Sequence, residues 1–124
     1  MDEEQLRQMA AQALAQGWEV FEHQQGGRLA GIAILRGTEF HCQLAHGFRL
    51  RRAEMREFLR PLFNRHGCLT TRVAHTDVRN QRFNRAFGFE KTWSDEQWHY
   101  YVLTTLPFEK VDQGKENRCQ LLPQ

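Results

Sequence analysis

A chain of 124 residues is long enough for one hydrophobic core and too short for two. With 40% hydrophobic and 11% aromatic residues it is not a disordered chain. Its 17 Lys and Arg against 15 Asp and Glu leave a net charge of +2, without the concentrated basic excess that marks a nucleic-acid binder, so no specific nucleic-acid signature is read. Three cysteines, Cys42, Cys68 and Cys119, stand far apart; an odd count without a paired framework argues for a reducing compartment and inert thiols. The start of the chain is acidic and amphipathic, unlike a secretory signal, and no stretch approaches the roughly 20 apolar residues of a membrane span. The expected location is a cytosol, that of the chain's own cell or of a host.

Residues 2–16 read as a helix: acidic residues crowd the first turn, where the helix dipole favours them, and Leu6, Met9, Ala10, Ala13 and Leu14 recur at spacings of three and four. Gly17 stands where a helix ends. Residues 18–22 open a strand, Gln25-Gly26-Gly27 makes a hairpin turn, and residues 28–36 return as a second strand. A turn at Arg36-Gly37-Thr38 leads to a third strand over 39–45, and such short connections predict an antiparallel meander. A second amphipathic helix is expected over 51–64, with Met55, Phe58, Leu59, Leu62 and Phe63 on one face; Pro61 should kink its last turn or end it early. A strand over 68–75, a short helix over 81–87 stopped by Gly88, and an aromatic hairpin over 89–93 and 98–105 follow. The helix between the meander and the fourth strand permits one β-α-β crossover. Residues 109–124 are polar, charged and aperiodic, so a domain over 1–108 with a flexible tail is expected.

The sharpest local pattern is Asp77-Val-Arg-Asn-Gln-Arg-Phe-Asn-Arg-Ala-Phe-Gly-Phe89. It resembles the late motif of the GNAT N-acetyltransferase superfamily, in which an Asn begins a short helix, an aromatic pair follows, and Gly-Phe opens the next strand. The order of elements over residues 18–105 is similar as well. The resemblance implies an α/β (α+β) fold: a GNAT-like mixed sheet with an antiparallel meander, one β-α-β crossover and a C-terminal hairpin. It also implies acetyl-CoA as the cofactor of an active member.

Three departures from the family pattern bear on chemistry. The loop that would hold the CoA pyrophosphate reads Ala45-His46-Gly47-Phe48-Arg49-Leu50-Arg51-Arg52, with one glycine and two bulky residues where close backbone approach is wanted. Gly47, Arg49, Arg51 and Arg52, with Asp77 and Asn80 at the start of the short helix, are the candidate cofactor-binding residues; three arginines at a helix start are more commonly a solvated face. The position at which many members carry a Tyr that protonates the leaving thiolate is Asn84, whose amide cannot serve as that acid. Asp77 replaces the leading Asn and caps a helix equally well. The GNAT-like internal virion and head-assembly proteins of short-tailed phages are similar in an N-x4-R-F-x4-G pattern, which Asp77, Arg82, Phe83 and Gly88 reproduce with Asp for Asn. That narrower resemblance implies a structural, assembly or DNA-ejection role with a degraded acyl-CoA site, no cofactor, and other virion proteins or further copies of the chain as partners, in the virion or host cytoplasm. The alternative is an active acetyl-CoA-dependent N-acetyltransferase with an atypical pyrophosphate loop.

For acid–base work in an active enzyme the candidates are Glu39, His41 and His75. His41 and Cys42 are adjacent on a strand and point to opposite faces, so they are poor joint metal ligands and no metal site is expected. Trp18, Trp93, Trp98, Tyr100 and Tyr101 read as core and sheet-face residues, with an interaction surface as their functional version.

Overall fold

Asp2 sets the first helix. Its Oδ1 accepts from the Gln5 backbone N–H at 2.7 Å and its own N–H donates to Gln5 Oε1 at 2.9 Å, a reciprocal cap at the start of α1 (Glu3–Ala15). The computed structural model describes residues 1–106 of the chain. These fall into two units, Met1–Leu50 and the residues from Arg51 onward. The domain boundary and tail expected near residues 109–124 lie outside the described residues.

In the first unit α1 leads into β1 (Glu19–Gln25), β2 (Arg28–Arg36) and β3 (Glu39–Leu44), paired in that order as an antiparallel meander. Gln25 faces Arg28 across a two-residue loop, and Gly26 and Gly27 both adopt positive φ (58° and 76°), as the tight primed turns of hairpins require. Leu6 of α1 is fully buried against Leu29, Ile32 and Ala45, with Met9, Ala10, Val20, Ile34 and Phe48 around them. Leu14, expected on the apolar stripe, is 65% exposed, because it sits at the rim of the narrower face that Leu6 and Ala13 bury.

In the second unit α2 (Arg52–His66) precedes β4 (Leu69–Ala74), α3 (Val78–Ala86), β5 (Glu90–Ser94) and β6 (Trp98–Leu103); the strands pair antiparallel in the order β4-β6-β5. Pro61 neither ends α2 nor shortens it: the helix runs on to His66 and closes at Gly67, whose N–H donates to the Phe63 carbonyl. Met55, Leu59 and Leu62 form its buried stripe. α3 begins at Val78 rather than at residue 81, because Asp77 caps it by accepting from the Asn80 N–H at 3.2 Å.

The fold is therefore mixed α+β, with three helices and six strands among the described residues, in the order a GNAT-like chain requires. No described helix is long and apolar enough to cross a membrane. Cys68, expected as an inert thiol, is disulfide-bonded instead; Cys42 is free, and burial pushes its thiol up to about 12.

Leu6→Ala empties the centre of the first unit's core. It is expected to lower unfolding free energy by about 2–5 kcal/mol, read as a drop in the urea midpoint.

Candidate functional site

The strand β3 carries two of the expected acid–base residues, and its two-residue period sets them side by side. His41 Nε2 lies 2.6 Å from Glu39 Oε2, with about a third of each side chain exposed. The Trp18 ring stands edge-on to the His41 ring at 5.6 Å, and the Arg36 guanidinium lies 4.2 Å from the Trp18 ring centroid. An ion-pairable carboxylate–imidazole couple beside an arginine-covered indole thus occupies one end of the meander, across all three strands. A histidine held by a carboxylate can take up a proton from an amine and be steadied in its charged form.

Beyond β3 the chain turns at His46-Gly47, with Gly47 at φ 85° and open space where a Cβ would stand. Two bulky residues, Phe48 and Leu50, are expected to obstruct this segment. Phe48 turns inward onto the core of Leu6, Leu29, Ile32 and Ala45, and the Arg28 guanidinium lies over its ring at 5.5 Å. The Arg49 carbonyl accepts from Gln25 Nε2 at 3.4 Å.

In the second unit Arg51 is the N-cap of α2 and offers no side-chain hydrogen bond to the helix start. Its side chain is 90% exposed and lies 3.9 Å from Glu54, while Arg52 opens the first turn. Asp77 and Asn80, expected near the cofactor, are joined to each other: besides the capping bond, Asn80 Nδ2 donates to Asp77 Oδ2 at 2.6 Å. Both carboxylate oxygens of Asp77 are therefore occupied at the start of α3. Asn84 faces inward and is only 7% exposed.

His75 stands just past the end of β4, in the turn that leads to Asp77. Its ring stacks on His99 of β6 at 4.0 Å and 5° between planes, and His99 Nδ1 lies 2.6 Å from Ser94 Oγ. Desolvation first, and then the nearby His75, Lys91 and Arg85, push His99 below the ordinary imidazole range. Asp95 in the β5–β6 turn accepts from the Tyr100 hydroxyl at 2.7 Å and from the Gln97 and Trp98 N–H groups at 2.8 and 2.7 Å. These bonds hold its carboxyl below the carboxylate range, the Tyr100 bond foremost, and the same bond holds the Tyr100 phenol above its own range.

Sequence reasoning missed His99, Ser94 and Asp95 as a group. The signal lay in the alternation of Trp98-His99-Tyr100-Tyr101, which sends His99 and Tyr101 to one face of β6 and Trp98 and Tyr100 to the other. Tyr101 is core, 2% exposed, whereas Trp93 is 58% exposed and stacks on Tyr100 at 4.9 Å. Arg72 covers Trp98 at 4.6 Å.

No protein-family model matches the chain, and no curated relative does. Solved structures do. The N-acetyltransferase PseH of Campylobacter jejuni superposes with a TM-score of 0.61 at 16% identity, over 82% of this chain and 77% of that one. The same enzyme in complex with acetyl coenzyme A gives 0.60 at 17% identity, over the same shares. The ribosomal-protein-S18-alanine N-acetyltransferase of Escherichia coli gives 0.55 at 15% identity, over 88% and 81%. The described chain thus has the GNAT N-acetyltransferase fold.

Two titrations check the electrostatics of the second unit. His99 resists protonation in the fold while the unfolded chain does not, so stability falls as pH drops through about 6.5, and His99→Gln flattens that limb of the stability–pH curve. Tyr100 resists ionisation, so stability falls as pH rises through about 10; Asp95→Asn is expected to bring the phenolate absorbance transition of Tyr100 down.

Proposed function

We propose that the chain is a GNAT-fold protein without acyl-transfer activity, serving as an internal or head-assembly component of a short-tailed phage particle. One observation carries the loss of chemistry. The α3 position that would bear the leaving-group acid is Asn84, a buried amide, and none of the residues of α3, Val-Arg-Asn-Gln-Arg-Phe-Asn-Arg-Ala, is a hydroxyl, thiol or imidazole that stands in for it. Without a proton donor the departing thiolate is left to bulk water, and the factor of roughly 10²–10⁴ that a positioned acid supplies is forgone. The phage assignment rests on the spacing of Asp77, Arg82, Phe83 and Gly88; exposed Trp93, stacked on Tyr100, supplies the kind of aromatic anchor that assembly surfaces use.

A second reading, an active acetyl-CoA-dependent N-acetyltransferase, is favoured by the inward turn of Phe48 and by the start of α2. Its N-cap residue, Arg51, makes no side-chain hydrogen bond to the first N–H groups and is itself exposed. Those groups suit a phosphate. In that reading the start of α2 would hold the phosphates of acetyl-CoA, which would supply the acyl thioester.

Calorimetry with acetyl-CoA and an assay of thiol release over a panel of amines separate the two. The structural reading predicts no thiol release above the uncatalysed rate, with or without CoA binding, and recovery of the chain with particles from an infected lysate. Amine-dependent release that Glu39→Gln lowers by tenfold or more would overturn it in favour of the enzyme.

A further inference from the structure

Charge is not spread evenly along this chain. Residues 1–50 carry four Lys and Arg against six Asp and Glu, whereas residues 51–106 carry ten against six. Part of that excess is neutralised locally: on α2, Arg56 and Arg60 both reach Glu57 at 3.3 Å, and Arg51 lies near Glu54. On α3 it is not. Arg79, Arg82 and Arg85 recur every three residues, all three are exposed, and none forms a hydrogen bond or ion pair with a described residue.

Helical geometry explains why they share a face. At 100° per residue Arg79, Arg82 and Arg85 fall within an arc of about 120°, opposite the arc that buries Asn84 and Phe87, and about 9 Å of helix axis separates the first from the last. The helix itself contains no acidic residue, and the Asp77 before it has both oxygens bonded to Asn80. The positive field extends past the helix end. Arg85 and Lys91 both act on His99, which stacks on His75, so cationic or protonatable groups from α3, β5, β6 and the end of β4 converge there.

We propose that the outer face of α3 is a nucleic-acid backbone contact, with Arg79, Arg82 and Arg85 on successive phosphates of a duplex. Three features select this occupant. All three cations of the stripe are arginines, whose planar forks match phosphate oxygens. They are spaced along one line, as a polyanion with regular charges demands, and not gathered around a pocket as a single small anion would need. They have no ion-pair partner among the described residues, and their mutual repulsion is relieved by an anion laid along the face. No base-reading element accompanies them, so the contact is sequence-independent. The inference stands whether or not acyl transfer is lost.

The test is fluorescence anisotropy of the full chain with a labelled DNA duplex of arbitrary sequence, across a range of salt. Three phosphate contacts give a slope of log K against log salt of about −3, roughly a 40-fold loss of affinity between about 50 and about 200 mM. Arg82→Gln should reduce the slope by about one, and the triple variant R79Q/R82Q/R85Q should lose the salt-dependent binding. Arg56→Gln on α2, whose partner is Glu57, should leave the slope unchanged. Circular dichroism melts of all variants confirm that exposed substitutions leave the fold intact. No binding at low salt, an unchanged slope in the triple variant, or binding to phosphatidylserine vesicles in place of the duplex would each overturn the proposal.

Discussion

The rotation of α3 about its own axis decides most of what is particular to this chain. Asp77 fixes where the helix begins, and from that start the period of 3.6 residues turns Asn84 and Phe87 inward and the three arginines outward. A cap one turn later would have rotated nothing but would have left Arg79 in a loop, outside the regular stripe. The same nine residues thus turn an amide inward and place a line of charge outside. A buried amide and an exposed line of charge follow from one helical register.

In the loop before α2 a residue's size is known from sequence but its direction is not. Phe48 reads from sequence as a plug in a phosphate cradle, since bulk opposes close backbone approach. Its side chain instead completes the core under α1, with Arg28 laid over the ring, and the turn at Gly47 stays open. A phenylalanine between two arginine-bearing segments has a hydrophobic demand that the nearest core satisfies in part, the ring being partly buried there.

The elements were legible wherever periodicity and punctuation agreed. The Gln25-Gly26-Gly27-Arg28 hairpin and the stripe of Met55, Leu59 and Leu62 on α2 are both readable from sequence, because turn chemistry and helix spacing act locally. Pro61 and the start of α3 are not. A helix tolerates an internal proline when its flanking turns are held by packing, and a capping bond 3.2 Å long outweighs the weak propensity of Val78. Of the candidate site, the Glu39–His41 couple follows from strand alternation, whereas the His75–His99 stack depends on the register of β4 against β6, which brings Val73 opposite His99 and is invisible in either strand by itself.

The outermost strand of the second unit has a different consequence. All five residues of β5 are exposed, it pairs only with β6 in that unit, and its ladder is interrupted between Lys91 and Trp93. A strand that buries so little apolar surface borrows its order from its neighbour. Its amides are the ones that open to deuterium first, well before those of β6, where Tyr101, Val102 and Leu103 are buried. The Trp93–Tyr100 stack thereby becomes a latch: while the rings stay together the strand is docked, and when they part the edge of the sheet frays without disturbing the core behind it.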